Sequence, residues 1–198
     1  RVSGVPGIKR ESIFHALNQK AVARRYAKSI GKKYEELNLI VVHLGGGISV
    51  GAHRKGLVID VNNALNGEGP ISPERAGTVP SEALATLCFS GKYTLNEVKK
   101  MLHGKAGLAA YLGTSDMITI EEKAIEGKEP YKTLVAAMDY TVAKEIGAMF
   151  VALKGQCDAI ILTGGIAYSD YCVADIKEQI EYLCKVVVLP GENEMESL

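Results

Sequence analysis

The residues best suited to chemistry are a histidine, an arginine and two glycine turns. His43 opens the run His43-Leu44-Gly45-Gly46-Gly47-Ile48-Ser49-Val50-Gly51, in which three consecutive glycines follow an apolar stretch. A turn without Cβ atoms lets backbone N–H groups come close to a ligand, and phosphate is the usual ligand of such a turn. A second turn, Thr163-Gly164-Gly165-Ile166-Ala167, follows the apolar run Ile160-Ile161-Leu162. Neither turn is a Walker A loop, since no Lys-Ser/Thr follows the glycines, and neither is a dinucleotide fingerprint. Arg75 sits in a loop rich in Gly and Pro, residues 62–78. It admits two readings: a solvated surface arginine, the commoner fate, or an anion clamp using its bidentate fork. Two glycine turns around a short strand meander point to a phosphate or nucleotide site.

The elements that must position these groups are legible in outline. Residues 39–42 form a buried strand, residues 48–52 alternate as a second strand, and Arg54-Lys55-Gly56 turns the chain into a third at 57–61. A helix is expected over residues 13–30, capped by Ser12, striped by Phe14, Leu17, Ala21 and Ile30, and stopped by Gly31. His15 falls in its first turn, where anions are favoured, and the residues alone assign it no role. Thr94 with Glu97, and Thr119 with Glu122, read as capping boxes, and residues 104–116 as a small-residue loop. A long helix over 131–154 carries Leu134, Met138, Val142, Ile146, Met149 and Leu153 on one face. Strands at 158–162 and 185–189 bracket a helix at 171–183. Tight early turns imply antiparallel pairing and the later strand–helix–strand implies parallel pairing, so the expected fold is α/β, a mixed five-stranded sheet flanked by helices. Both glycine turns should then lie at strand ends, where open sheets bind ligands.

Lys+Arg and Asp+Glu balance at 23 each over 198 residues, which argues against a nucleic-acid or anionic-membrane surface. No apolar run approaches the roughly 20 residues needed to span a bilayer. Cys88, Cys157, Cys172 and Cys184 are widely spaced and read as buried free thiols rather than disulfides or zinc ligands. A cytoplasmic location is expected. The chain opens with Arg1, which suggests a segment of a longer protein.

Read together, the motifs are identified as those of the acetokinase family. His43 to Ser49 resembles that family's second signature. Ser12-Ile13-Phe14-His15-Ala16-Leu17-Asn18-Gln19-Lys20 is similar to the Phe-His motif of its butyrate kinase branch. Val61-Asn62-Asn63-Ala64, Ser72-Pro73-Glu74-Arg75-Ala76-Gly77-Thr78, Ala110-Tyr111-Leu112-Gly113-Thr114 and Pro190-Gly191-Glu192-Asn193-Glu194-Met195-Glu196 resemble the same branch. The resemblance implies an actin-like ATPase (ribonuclease H-like) domain and ATP-dependent phosphorylation of a short-chain carboxylate to an acyl phosphate. Butyrate would be the acid, with branched-chain, propionate and acetate kinases as alternatives, and a non-catalytic nucleotide-binding or dimerisation module as the reading of a different class.

Residue roles are implied in the same way. His15 and His43 would stabilise the transferring phosphoryl group with the backbone of Gly45, Gly46 and Gly47. Arg75 would hold the carboxylate and the equatorial oxygens. Gly164, Gly165 and Ile166 would line the nucleotide site, Asp116 and Met117 would flank the adenosine of ATP or ADP, and Glu194 would help to bind Mg²⁺. A homodimer is implied as well. The family commonly has Arg at the position of Ile118, a departure that bears on nucleotide contacts. Such kinases also carry an N-terminal half not found here, so the expectation is a C-terminal portion: residues 1–35 as a joining linker and helix, residues 36–198 as the ATPase-type domain.

Overall fold

The computed structural model describes residues 2–191. The first helix, α1 (Ala16–Ser29), leads through a 3₁₀ turn (Tyr34–Glu36) into β1 (Asn38–Leu44), β2 (Ile48–Arg54) and β3 (Leu57–Val61). Four helices follow, α2 (Ser81–Cys88), α3 (Leu95–Leu102), α4 (Gly107–Leu112) and α5 (Met117–Ile125), and then the long α6 (Tyr131–Ala152). Strand β4 (Ala159–Thr163), a 3₁₀ turn (Ile166–Tyr168), α7 (Asp170–Ile180) and β5 (Val186–Val188) complete the order. The sheet runs β3-β2-β1-β4-β5. The first two pairings along that order are antiparallel and the last two parallel, as the turn lengths require.

Strand β1 is the centre, buried along its whole length. Its alternation sends Ile40, Val42 and Leu44 into a core shared with α6 and α7, whereas Leu39 and Val41 meet Val22, Ala23, Tyr26 and Ala27 of α1. His43 continues that second face and so arrives beneath α1. Register on β2 places Ser49 opposite His43, Gly51 opposite Val41 and His53 opposite Leu39. The polar half of the β2 alternation therefore also lies under α1, and it is buried. Polar strand positions ordinarily face water; here they face a helix that offers polar partners.

Three local expectations are corrected. Helix α1 starts at Ala16, with His15 and not Ser12 at the N-cap and no side-chain cap. The Ile13 carbonyl instead accepts the Ala64 N–H, which draws residues 13–15 out of helical geometry and toward the loop at 62–78. The expected stripe fails with it: Leu17 and Ile30 are exposed, and the buried face is Asn18, Gln19, Val22, Ala23, Tyr26 and Ala27. Second, α5 begins at Met117 with Asp116 as its cap, so Thr119 lies inside the helix and its hydroxyl donates to Asp116 Oδ2 at 2.6 Å. Third, residues 107–112 are helical because Leu108 reaches the core, where it is fully buried. The Thr94–Glu97 capping box is present as expected. All four cysteines are free, but only Cys172 is buried; Cys88 is exposed, and half-buried Cys157 and Cys184 approach to 3.0 Å between sulfurs.

Candidate active site

Parallel pairing sets His43 of β1 opposite Thr163 of β4, so both glycine turns leave the sheet at the same edge. This is the carboxyl edge, where open α/β sheets bind ligands. The two glycine turns are built differently. Gly164, at φ +90°, is pressed against the Leu44 backbone so closely that a Cβ would collide with the Leu44 carbonyl. It lets the chain leaving β4 pack closely on the end of β1, while Gly165 is open and lines a cleft.

At the other turn, Gly45 lies under the His43 ring, Gly46 under the Glu74 carboxylate and Gly47 beside the Arg75 guanidinium. The loop that carries Glu74 and Arg75 is pinned to the turn: the Glu74 N–H and the Ser72 hydroxyl both donate to the Gly46 carbonyl, at 3.1 and 2.7 Å. Ser72 Oγ also accepts from the Arg75 N–H. Arg10 braces the loop's start through Glu68 at 2.8 Å. With Glu74 over Gly46, the part of the turn that faces a cleft is Gly47 with Arg75. That cleft, about 160 Å³, is lined by Ile13, Phe14, His15, Gly47, Ala64, Leu65 and Arg75. The Arg75 Nε is buried and has no hydrogen-bond partner among the described residues. A buried guanidinium N–H left unmatched is costly, so an acceptor placed in this cleft would be favoured.

His15 and His43 stack, with centroids 3.8 Å apart and planes within 16°. His43 is 2% exposed, and its Nδ1 lies 2.9 Å from Asn18 Oδ1, an acceptor, so Nδ1 carries the hydrogen. Burial and then the neighbouring His15 pull the His43 pKa down to about 3, which keeps that ring neutral at physiological pH. His15 Nδ1 lies 3.0 Å from Ser49 Oγ. Two stacked imidazoles can coexist here because at least one of them stays uncharged.

A second cleft, about 210 Å³, is lined by Met117, Ile118, Glu121, Gly165, Ile166, Tyr168 and Ser169. It brings together Met117, Gly165 and Ile166 as expected, and adds Glu121, Tyr168 and Ser169, which sequence reasoning missed. Ile118, 73% exposed, forms part of its wall. Asp116 is not part of its lining and caps α5, accepting from the Ile118 N–H, and Gly164 stays packed against the Leu44 backbone. Glu194 lies outside the described residues. Among the described residues no group of three or more His, Cys, Asp and Glu side chains could hold a metal ion. No helix among them is long and apolar enough to cross a membrane.

The sheet and its two helical layers define the class, a mixed five-stranded sheet flanked by helices of the actin-like ATPase fold. The acetokinase family model matches residues 5–189, and the chain belongs to that family. Over its whole length it is 72% identical to a probable butyrate kinase of Phocaeicola vulgatus, of which it spans 56%. In fold it matches the acetate kinase of Porphyromonas gingivalis with a TM-score of 0.86 at 22% identity, covering 98% of this chain and 57% of that one. A propionate kinase of Francisella tularensis matches at 0.85 and 21% identity, covering 98% and 58%. The acetokinase family is one of carboxylate kinases, and the chain spans little more than half the length of the curated relative it matches.

Proposed function

We propose that this chain supplies the C-terminal side of an ATP-dependent kinase for short-chain fatty acids, with butyrate as the acid and butyryl phosphate as the product of a reversible, direct transfer. The observation that carries the reading is the cleft beside Gly47: Phe14, Ile13, Ala64 and Leu65 offer an apolar wall for a short acyl chain, and Arg75, whose Nε has no partner among the described residues, stands at its polar side. The match to a probable butyrate kinase at 72% identity supports butyrate over acetate, propionate or a branched acid.

The chemistry asks little covalent work of the protein. A carboxylate is already ionised at neutral pH and needs no general base to attack the γ-phosphorus. What it needs is alignment and relief from charge repulsion. Arg75 would neutralise the carboxylate and the equatorial oxygens, and His15 would donate to a phosphoryl oxygen. The cleft at Gly165 would take the nucleoside, with Ile118, Met117 and Tyr168 as its apolar walls and Gly165 leaving room for close approach. From this chain Glu194 would help to hold Mg²⁺, which would supply positive charge against that of the phosphates. Residues 1–35 would link the chain to a further N-terminal domain, bringing α1 onto the sheet of residues 36–198. The working protein would be a cytoplasmic homodimer.

Trapping acyl phosphate as a hydroxamate tests the reading. Product is expected from the complete protein with butyrate and ATP, and none from residues 1–198 alone. No product from the complete protein with any acid of two to five carbons would overturn it.

A further inference from the structure

Five polar side chains form a line through the buried space between α1 and the sheet, and the hydrogen positions along it can be worked out from one end. Gln19 Nε2 lies 2.8 Å from Ser49 Oγ and 3.2 Å from the Ser49 carbonyl oxygen. A carbonyl only accepts, so this end of the amide is the NH₂ and the other end, Oε1, is an acceptor. His53 Nε2, 2.9 Å from Gln19 Oε1, must therefore carry a hydrogen. Burial first, and Lys20 second, lower the His53 pKa to about 4, so the ring is neutral and its Nδ1 bears a lone pair. The Tyr34 hydroxyl, 2.7 Å away, donates to that lone pair. At the opposite end Ser49 Oγ receives the Gln19 hydrogen, which leaves its own hydrogen available to His15 Nδ1, 3.0 Å away. Every link then donates in the same direction, Tyr34 to His53 to Gln19 to Ser49 to His15, an order in which each bond polarises the next.

Gly51 gives an independent sign that this line is built and not incidental. It sits in the middle of β2, where glycine weakens a strand. Neither a turn nor a positive φ calls for glycine there. A Cβ at that position would collide with Gln19 Oε1 and come within 3.2 Å of His53 Nε2. The missing side chain is the space the line occupies.

We infer that Tyr34, His53, Gln19 and Ser49 are positioning residues for His15, fixing its ring and keeping its hydrogen on Nε2, the form that donates to a phosphoryl oxygen. Its stacked neighbour His43 holds the opposite tautomer, with the hydrogen on Nδ1 toward Asn18. The inference rests on the phosphotransfer reading for its purpose, and the hydrogen positions rest on the contact geometry together with the neutral state of the buried His53 ring.

The test is imidazole nitrogen spectroscopy on the complete protein with ¹⁵N-labelled histidine at neutral pH, on the wild type and on Gln19→Glu. The wild type should show His15 with a pyrrole-type Nε2 and a pyridine-type Nδ1. Once ionised, a glutamate at position 19 only accepts, so Ser49 turns its hydrogen to it and His15 takes the hydrogen on Nδ1, exchanging the two shifts. In that variant kcat with butyrate should fall at least about tenfold, the scale of general acid–base and donor effects, with KM for ATP within about twofold of wild type. A purely packing role for Gln19 would leave the tautomer unchanged. A wild-type His15 with its hydrogen on Nδ1, or on both nitrogens, overturns the inference, as does a folded Gln19→Glu protein with unchanged shifts. Should Gln19→Glu not fold, the wild-type spectrum still decides. A protein with the expected tautomer and no turnover with any short-chain acid would sink the kinase reading and leave the relay standing; an active kinase with the other tautomer would do the reverse.

Discussion

The cleft at Arg75 and the cleft at Gly165 leave the same edge of the same sheet and are built from different materials. Around Arg75 the supporting groups are buried polar side chains, His43, Asn18, Gln19, Ser49 and His53, each matched to a partner. Around Gly165 the lining is largely apolar and half open, with Ile118 and Tyr168 both more than two-thirds exposed. A buried carboxyl, Asp139 on α6, neighbours Glu121 of that second cleft and has only the Cys172 thiol as a hydrogen-bonding neighbour to offset its burial among the described residues. A polar network that is fully matched holds its members at fixed angles, whereas an apolar wall tolerates sliding. The first construction suits the step where charge is redistributed, and the second suits holding a flat, exchangeable base. On the proposed function, the first region would determine rate and the second binding.

Removing the charge from the polar cleft should have the largest effect. Arg75→Ala in the complete protein should lower kcat about a hundredfold, the scale of one lost transition-state contact, with KM for ATP little changed. Near-normal turnover would return Arg75 to an ordinary surface role and erase the contrast. The next effect concerns stability and has opposite signs at the two regions. Burial, reinforced by Asp175, raises the Asp139 pKa to about 8. Its contribution to stability is therefore whole below about pH 4 and is lost as the pH rises through about 8. His43 and His53 run the other way: their lowered values, about 3 and about 4, give a contribution present above about 6.5 and lost as the pH falls toward them. Between about pH 6 and about pH 8.5, Asp139→Asn should gain about 2 kcal/mol on the wild type in denaturant or thermal unfolding. A gap that does not change with pH would mean that Asp139 is ionised in the folded protein.

Gly51→Ala should cost about tenfold in kcat, because the added methyl displaces Gln19 Oε1 and overpacking of this kind disturbs its neighbours. Wild-type kcat in a folded Gly51→Ala protein would show that the line beneath His15 can bend without consequence. The smallest effect belongs to the open cleft. Ile118→Ala should raise KM for ATP about threefold, the scale of trimming one half-exposed apolar contact, and leave kcat alone. A fall in kcat instead would mean that this cleft, too, aligns the reacting atoms.

Most of the sheet could be read from the sequence because its signals are local. Apolar runs at 39–42 and 158–162, alternation at 48–52 and the Lys55-Gly56 turn each declare themselves within a few residues. The helix ends were harder because partners distant in sequence decided them. Ile13 gave up its helical place to bond Ala64, and Leu108 turned an expected loop into a helix by reaching the core. The site divides along the same line. Gly47, Arg75 and Gly165 stand in visible turns and loops and line the clefts, while His43, at the end of its apolar run, lies buried against His15. Gln19 and His53 lie 34 residues apart and look like an exposed helix residue and a polar strand end. Only the β1–β2 register and the seating of α1 show that both are buried and face each other. One clue was available: Ser49, Gly51 and His53 alternate with apolar residues on a strand, opposite a helix whose inner face begins with Asn18 and Gln19.

The most direct test of the account is acyl phosphate formation by the complete protein, trapped with hydroxylamine, with acids of two to five carbons compared at saturating ATP and Mg²⁺. The account predicts hydroxamate formation with the highest kcat/KM for butyrate, abolished to near background by Arg75→Ala. ATP turnover that yields no hydroxamate with any of these acids would contradict it.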